Sequence, residues 1–362
     1  MRLRLLGHAV CALVAAATAA ATAAAADAPL PRIPFVVGLT TVRATSEPRG
    51  DYENLRVVDA ITPAGYLITA SGEVPADDGS GLREVSIVRR VRAEDQRNAR
   101  RMRTYFHTGD AEQFTGTVPG LSAAVLTDLR KSGRARLTYL DVGVMFGMSA
   151  LRRELSGTIV RVDGGATTLP MLVNGRSVRL PVIHARGRLS DAAGAEEVEL
   201  HALDDPDNPI LLRSRVPGFS SAVIKIDYPQ PKQQQAAASP IERELAAGHS
   251  AEVYGIYFSF ARADIRPQSE RVLKEIADVL VQHPDWTLRI DGHTDGIGGE
   301  AANLDLSRRR ATSVKAALVK RHGIAADRLV TGGFGESRPK GRNDTPEGRA
   351  VNRRVELTRL QD

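Results

Sequence analysis

The sequence is poor in the residues that form disulfides, thiolate metal sites and aromatic surfaces. Of its 362 residues one is a cysteine, Cys11, and 4% are aromatic. A chain with a single cysteine forms no internal disulfide and no thiolate cluster for a metal. Basic and acidic residues are nearly balanced, 49 against 43, and no basic stretch is interleaved with aromatic residues. Nucleic acid is therefore not an expected partner.

The first residues have the layout of a cleavable export signal. Arg2 and Arg4 precede an alanine- and leucine-rich run that ends in small residues around 24–26. We therefore predict that residues 1–26 are removed on export, the alternative being a retained membrane anchor. Val10 precedes Cys11 and little apolar sequence comes before it, so lipidation at this cysteine is not expected. No later apolar run approaches the roughly 18 to 20 residues of a membrane-spanning helix.

A stretch rich in proline, glutamine and alanine divides the remaining chain. The sequence YPQPKQQQAAASP, at Tyr228–Pro240, has no periodic pattern. Such a composition is typical of a linker. We therefore predict one domain at 30–227, a linker at 228–245 and a second domain at 246–362.

Residues 30–227 are predicted to form a β-rich domain with one or two helices. Runs of β-branched or alternating residues between turn residues indicate strands. These runs are FVVGLTTV (35–42), GYLITASGEV (65–74), EVSIVRRV (84–91), ARLTYLDVGV (135–144), GTIVRV (157–162) and AVIKIDY (222–228). The pair Asn174-Gly175 indicates a two-residue hairpin turn. Ser122 is a candidate N-cap for a helix in SAAVLTDLRK.

No motif in this first domain indicates a function. His107 and His184 have no partner residue at metal-ligand spacing, so we expect ordinary hydrogen bonds and no metal site. The acidic stretch LDDPDNP, at Leu203–Pro209, matches no calcium-loop spacing and contains two prolines. It is expected to form a turn between two strands.

Residues 246–362 alternate between strand-like and helical patterns. Strands are predicted in VYGIYFSF (253–260), WTLRID (286–291), RLVTGG (328–333) and NRRVELTR (352–359), and helices in PQSERVLKEIADVLVQH (267–283) and at 303–321. Pro267 and Pro284 mark the ends of the first helix. The order βαβαββ predicts a compact α/β sandwich, and the fold class of the whole chain is therefore α+β.

Six motifs follow one another in this second domain: YFSFARADIRP, GHTDGIG, NLDLSRRRA, GIAADRL, GGFGESRP and NDTPEGRAVNRRVEL. In order and spacing they resemble the OmpA-like C-terminal domain shared by OmpA proteins, Pal lipoproteins and MotB stators. The resemblance implies a periplasmic module that binds peptidoglycan non-covalently through the diaminopimelate of the stem peptide. The family residues that grip this amino acid fall on Asp295 and Arg310. Family members commonly have acids where Ser259 and Ala261 stand, so contacts around 262–265 are expected to differ.

Elementary chemistry favours the same pair of residues. The free end of diaminopimelate is a zwitterion, so its receptor needs a carboxylate and a guanidinium close together. Among the three consecutive arginines after Ser307, helical geometry puts Arg310 beside the core, aligned with Asn303, and turns Arg309 away from it. Arg308 and Arg309 are expected to be solvated or to pack on neighbours. The alternative is that Asp295 pairs with Arg310 in a protein that binds no ligand.

Further residues are expected to support this site. They are Thr294, Gly298, Asn303, Leu304, Ser307, Asp264 and Arg353. His293 is expected to have a structural hydrogen-bonding role, because it points to the other side of the extended chain from Asp295. Arg349, Asn352 and Arg353 are expected to tie the last strand to the preceding loop.

The function expected from these observations is non-enzymatic wall binding. The partner is peptidoglycan, and the first domain is left to contact an outer-membrane or envelope protein; the oligomeric state stays open. The alternative is an exported enzyme, or an accessory of an envelope machine, delivered to the wall by the second domain. No Gly-x-Ser-x-Gly or His-Glu-x-x-His motif occurs, and no catalytic residue, cofactor or metal is expected. The expected location is a Gram-negative periplasm, at the wall or the outer membrane.

Overall fold

The structure, a computed structural model, describes residues 30–47, 50–75, 82–103, 115–118, 120–142, 152–162, 167–230, 238–259 and 261–360. The predicted signal peptide, residues 1–26, and His107 lie outside these ranges. Residues 33–362 belong to one compact unit. No helix in the described part of the chain has both the length and the apolar character needed to cross a membrane.

Strands dominate the first half of the chain and alternate with helices in the second. The strands are β1 (Thr40–Glu47), β2 (Gly50–Thr62), β3 (Gly65–Pro75), β4 (Leu82–Arg92), β5 (Arg101–Arg103), β6 (Arg134–Val142), β7 (Arg152–Arg161), β8 (Thr167–Val173), β9 (Arg176–Asp191), β10 (Gly194–Leu203), β11 (Leu211–Val216), β12 (Phe219–Asp227), β13 (Ser250–Val253), β14 (Thr287–Gly292), β15 (Leu329–Gly333) and β16 (Val355–Leu360). The helices are α1 (Ala93–Asn98), α2 (Ala123–Ser132), α3 (Pro240–Ala246), α4 (Glu270–Gln282), α5 (Glu300–His322) and α6 (Pro346–Asn352). The predicted α+β class is confirmed.

Strands β1 to β12 form one large sheet in the described residues. Its order is β4-β3-β2-β1-β12-β11-β10-β9-β7-β6-β5, with β8 pairing with β12 and β9. The hairpin predicted at Asn174-Gly175 is confirmed, since the two residues have φ of 46° and 76°, which suits a two-residue turn between β8 and β9. The predicted helix is also confirmed: the Ser122 hydroxyl accepts a hydrogen bond from the Val125 amide at 3.2 Å and caps α2.

A turn precedes the first strand, and another separates β10 from β11. The strand predicted at 35–42 begins only at Thr40, because Gly38 has a left-handed φ of 86° and the Leu39 amide donates back to the Val36 carbonyl. The turn predicted at 203–209 is confirmed. It joins β10 to β11, and the Asp205 carboxylate accepts from the Asp207 amide at 3.1 Å.

The second half of the chain forms a four-stranded sheet in the order β13-β16-β14-β15. Strands β14 and β15 are parallel, as a connection through helix α5 requires, and the other pairs are antiparallel. Helix α4 buries Leu273, Ile276 and Leu280, and α5 buries Val314 and Leu318, against this sheet. The predicted alternation of strands and helices is confirmed from β13 to β15.

Three local predictions are corrected by the structure. The first strand of this region is β13, which ends at Val253 where the prediction began. Helix α3 lies inside the predicted linker, and its residues Ile241 and Leu245 are buried in the core of this region. The signal for it is a capping box, in which Ser239 and Glu242 satisfy each other's backbone amides. Helix α6, which precedes β16, was not predicted.

The two halves of the chain have separate cores but share one small apolar cluster. Val42, Leu55 and Ile224 from the large sheet are buried against Ala350 of α6, with Tyr257 packed beside them. Ion pairs also join the halves: Arg213 contacts Glu347 at 2.6 Å and Arg266 contacts Glu73 at 3.1 Å. The large sheet therefore packs against the same end of the C-terminal region that carries α6.

Candidate functional site: a cluster of charges at the boundary between the two halves

Asp295 is placed by the end of β14 and the turn that leads into α5. The strand approaches the helix so closely that a Cβ on Gly292 would lie 2.1 Å from the Ser307 carbonyl oxygen, so only glycine fits there. Gly298, with φ of 103°, then redirects the chain into α5. The Asp295 carboxylate accepts from the Ile297 amide at 3.0 Å, and the residue is 8% exposed.

Arg310 lies on the buried face of α5, as predicted, with Asn303 buried on the same helix. Its Nε donates to the Arg262 carbonyl at 3.0 Å, and its guanidinium lies 4.9 Å from the centre of the Phe258 ring. No described carboxylate lies within ion-pair distance of it. Burial, with a contribution from Arg353, lowers the pKa of Arg310 to about 10. The group remains a cation at neutral pH, held in a nearly dry position.

The other two arginines of this run are exposed to solvent, although Arg309 also lines the cavity that contains Asp295 and Arg310. Arg308 is exposed. Arg309 is half-exposed and pairs with Asp305 on its own helix at 2.7 Å. The predicted division of roles by helical geometry is confirmed for burial; the ligand-binding role of Arg310 stays a prediction.

Arg353 holds two carboxylates at once. Its Nη1 donates to Asp295, and its Nη2 donates to Glu53, which lies on β2 of the large sheet. Burial opposes the charge of Arg353, yet the two carboxylates raise its pKa above the ordinary value. The alternative pairing of Asp295 with Arg310 is therefore wrong, since Asp295 pairs with Arg353 instead. The role predicted for Arg353, tying the last strand to a loop, is also wrong.

The predicted tie between the last strand and the preceding loop is made by two other residues. The side-chain oxygen of Asn352 accepts from the amides of Lys340 at 2.7 Å and Gly341 at 2.8 Å. Arg349 donates to the Asn343 carbonyl at 3.1 Å. Both residues lie on α6, directly before β16, so it is α6 that is fastened to the loop, and the prediction is confirmed only for these contacts.

The predicted supporting residues divide into two groups. Thr294, Gly298, Asn303 and Arg353 line the same cavity as Asp295 and Arg310. The side-chain amide of Asn303 donates to the Ile297 carbonyl at 3.1 Å and to the Glu336 carboxylate at 2.6 Å. These bonds fix the turn after Asp295. The Thr294 hydroxyl is buried and has no hydrogen-bond partner among the described residues. A buried hydroxyl without a partner is unusual and is consistent with a ligand contact.

Leu304, Ser307 and Asp264 do not line this cavity. The Ser307 hydroxyl accepts from the Gly335 amide at 3.0 Å and donates to the Leu304 carbonyl at 2.8 Å, so its role is to fasten the loop after β15 to α5. Asp264 is mostly exposed and pairs with Arg262 at 2.6 Å. The prediction that these three residues support the ligand is not matched by their positions.

His293 is buried, but not in the hydrogen-bonding role that was predicted. Neither ring nitrogen has a hydrogen-bond partner among the residues described, and the ring stacks on Phe334 at 5.4 Å. Its Nε2 lies 3.5 Å from the Glu356 carboxylate. Burial, and next the charge of Arg354, lower the pKa of His293 to about 4. The ring is therefore neutral at pH 7 and acts by packing.

The cavity that contains these charges lies between the two halves and has a volume of about 1020 Å³. Asp295, Arg310 and Arg353 line it from the C-terminal side, and Glu53 lines it from the large sheet. An ammonium group fits beside the two carboxylates, and a carboxylate fits beside the guanidinium of Arg310. The arrangement therefore offers both of the opposite charges that a zwitterion requires.

A second cluster brings together His184, Glu199 and His201, of which Glu199 and His201 line the cavity. The histidines are opposite each other on β9 and β10, a pairing that sequence spacing could not indicate. Their rings stack in nearly parallel planes 4.1 Å apart, so their in-plane lone pairs do not converge on one ion. His184 contacts Glu199 at 2.8 Å, and Arg186 donates to the same carboxylate oxygen. His184 therefore has the ordinary hydrogen bond that was expected.

Comparison with known proteins places the C-terminal region in a family. Residues 257–353 match the OmpA family. Outer membrane porin F of Pseudomonas fluorescens is 46% identical over 103 residues, which cover 28% of this chain and 31% of that protein. Peptidoglycan-binding protein ArfA of Mycobacterium tuberculosis is 43% identical over 102 residues, with the same two shares of 28% and 31%. The chain thus spans about a third of the length of these relatives.

Among solved structures, the peptidoglycan-associated lipoprotein from Burkholderia pseudomallei is 27% identical. The match covers 34% of this chain and 100% of that one, with a TM-score of 0.29. Like the sequence relatives, it matches only part of the chain. On the match of residues 257–353 to the family model, the chain carries an OmpA-like domain at its C-terminus.

Proposed function

We propose that the C-terminal domain binds peptidoglycan non-covalently, through the free end of diaminopimelate in the stem peptide. The observation that carries this proposal is the guanidinium of Arg310, which is 9% exposed and has no carboxylate partner among the described residues. A buried cation without a counter-ion is costly unless an anion joins it. The ligand carboxylate supplies that anion, while its ammonium binds beside Asp295.

The relatives support this choice of ligand. The Mycobacterium tuberculosis relative is named a peptidoglycan-binding protein, and the Burkholderia pseudomallei structure is named a peptidoglycan-associated lipoprotein. Neither name describes an enzyme. Because the match to the relatives is limited to about a third of their length, the role of the whole protein is part of the proposal: the C-terminal domain holds the β-rich region at the cell wall of a Gram-negative periplasm.

The alternative of an exported enzyme has less support. A nucleophilic role for Ser122, which follows a Gly-Leu pair, is disfavoured because this residue is 1% exposed and its hydroxyl caps α2. A nucleophile must be reachable and must lie near a base. Service to an envelope machine or contact with an outer-membrane protein is compatible with wall binding and would involve the β-rich region.

The proposal is tested by sedimentation of the full chain with purified peptidoglycan sacculi. We expect the wild type to sediment, and Asp295→Ala and Arg310→Ala to remain in solution while keeping the circular dichroism of the wild type. Each substitution leaves one charge of the ligand unmatched. Arg309→Ala is the control, because it removes an arginine of the same helix and the same cavity wall whose charge is paired with Asp305. Equal sedimentation of all four folded proteins would refute the proposed site.

A further inference from the structure

We propose that Glu53 of the β-rich region is a ligand-binding residue of the same site, where it accepts from the ligand's ammonium together with Asp295. This inference rests on the proposed function and extends it, because it gives the β-rich region a direct part in recognition of the wall. The ligand class is the free zwitterionic end of diaminopimelate.

Both arms of the Arg353 guanidinium are occupied by carboxylates. One of its terminal nitrogens donates to Asp295 and the other donates to Glu53. A guanidinium whose two arms already hold carboxylates has little capacity left for a third. The ligand carboxylate therefore binds Arg310, and the two carboxylates held by Arg353 form the acidic side of the site.

The four charged residues of the proposed site carry no net charge together. Asp295 and Glu53 are negative and Arg310 and Arg353 are positive, so the four groups cancel. A neutral cluster of this kind matches a zwitterion, which is itself neutral overall. Without Glu53 the remaining three groups carry one net positive charge, which repels an ammonium.

The carboxylates of Glu53 and Asp295 are both accessible from the cavity. The side chain of Glu53 is 36% exposed and that of Asp295 is 11% exposed, and both line the cavity. An ionised carboxylate accepts several hydrogen bonds, so contact with Arg353 does not exhaust either group. A ligand that enters the cavity can therefore reach oxygens of both residues.

Packing of β2 against the C-terminal region holds Glu53 in place. Residues separated by two positions share a face of a strand, so Glu53 and Leu55 point the same way from β2. Leu55 is buried in the shared apolar cluster with Ala350, which lies on the helix that immediately precedes Arg353. Packing of the two halves thus fixes the carboxylate of Glu53 beside Arg353. Ligand binding and docking of the β-rich region are consequently linked.

The test compares the affinity of full-length variants for meso-diaminopimelate by isothermal titration calorimetry. Glu53→Gln keeps the shape of the side chain and removes its charge, and we expect roughly tenfold weaker binding. Glu53→Asp retains the charge and should keep most of the affinity. The matched control is Glu73→Gln, which removes the charge from another ion pair between the halves, with Arg266, in a different part of the wall of the same cavity. It should bind like the wild type. Thermal melts check that all variants are folded.

Unchanged binding by Glu53→Gln would overturn the inference, and so would tighter binding, which would make Glu53 a competitor of the ligand. Pimelate has the carboxylates of diaminopimelate but no ammonium; if its competition for the site falls as strongly in Glu53→Gln as the affinity for diaminopimelate, Glu53 only positions Arg353. Loss of binding in Asp295→Ala together with normal binding in Glu53→Gln would leave the proposed function standing and remove Glu53. A wild type that binds no diaminopimelate would overturn both.

Discussion

His293 is a buried neutral histidine, and this makes its contribution to stability depend on pH. Its pKa in the folded chain is about 4, against an ordinary value of 6.5. Between these values the unfolded chain binds more protons than the folded one, so the free energy of unfolding falls as the pH falls. Glu356 faces the ring and favours its charge, whereas Arg354, Arg338 and Lys340 oppose it.

We therefore predict that His293 accounts for a loss of about 2 kcal/mol in the free energy of unfolding between pH 7 and pH 5. The measurement is urea denaturation of the wild type and of His293→Leu at several pH values. The difference between the two proteins should change with pH below about 6.5. A difference that is constant from pH 7 to pH 5 would show that the histidine is not held neutral.

The residues of the site differ in how far they could be predicted. Asp295 and Arg310 follow local signals: an aspartate after a strand in a glycine-rich turn, and an arginine in register with the buried face of a helix. Glu53 follows no local signal. It is an ordinary carboxylate within a strand, and its contact with Arg353 joins residues separated by 300 positions.

At the scale of elements, the close approach of β14 and α5 positions the two residues that are proposed to bind the zwitterion. Strand β14 leads to Asp295, α5 carries Arg310, and the two are in contact where Gly292 meets the Ser307 carbonyl. A Cβ at Gly292 would lie 2.1 Å from that oxygen, which is backbone and cannot move without the helix.

We predict that Gly292→Ala destabilises the chain by roughly 2 to 3 kcal/mol and weakens binding to sacculi. The reason is that the helix must shift away from the strand and takes Arg310 with it. The control is Gly299→Ala, because the added Cβ meets nothing within 4 Å and the backbone φ is −87°. It should change stability by no more than about 0.5 kcal/mol. Chemical denaturation and sedimentation with sacculi measure the two effects, and equal behaviour of the two variants would contradict this account.

At the scale of the whole molecule, the two halves have their own cores and meet through a small shared cluster. The core of the large sheet includes Leu126 and Tyr139, and the C-terminal core includes Leu273 and Leu318. Ala350 is 8% exposed and packs between the halves. A carboxylate placed there would be buried without a partner, which is strongly unfavourable.

We predict that Ala350→Glu separates the two halves while each stays folded. Small-angle scattering should show a larger radius of gyration, and calorimetry should show two transitions, because each half keeps an intact core. Ala326→Glu, at an exposed position, is the control and should leave both measurements unchanged. A single transition at lower temperature with an unchanged radius would show that the shared cluster is integral to one of the cores.

The sequence by itself determined much of the local structure and indicated Asp295 and Arg310 as the candidate binding pair. The turn at Asn174-Gly175, the cap at Ser122, the order of strands and helices after 246, and the burial of Arg310 beside its solvated neighbours all depend on residues close together in the chain. Local conformational preferences and helical periodicity are enough to specify such features.

Only the tertiary structure decided which distant residues meet. It opposed His184 to His201 across two strands, gave Asp295 the partner Arg353 instead of Arg310, and brought Glu53 from the large sheet to the same arginine. These contacts depend on strand register and on how two apolar surfaces pack, and both are set by interactions between segments far apart in sequence. A charge on a strand is compatible with many partners until that packing selects one.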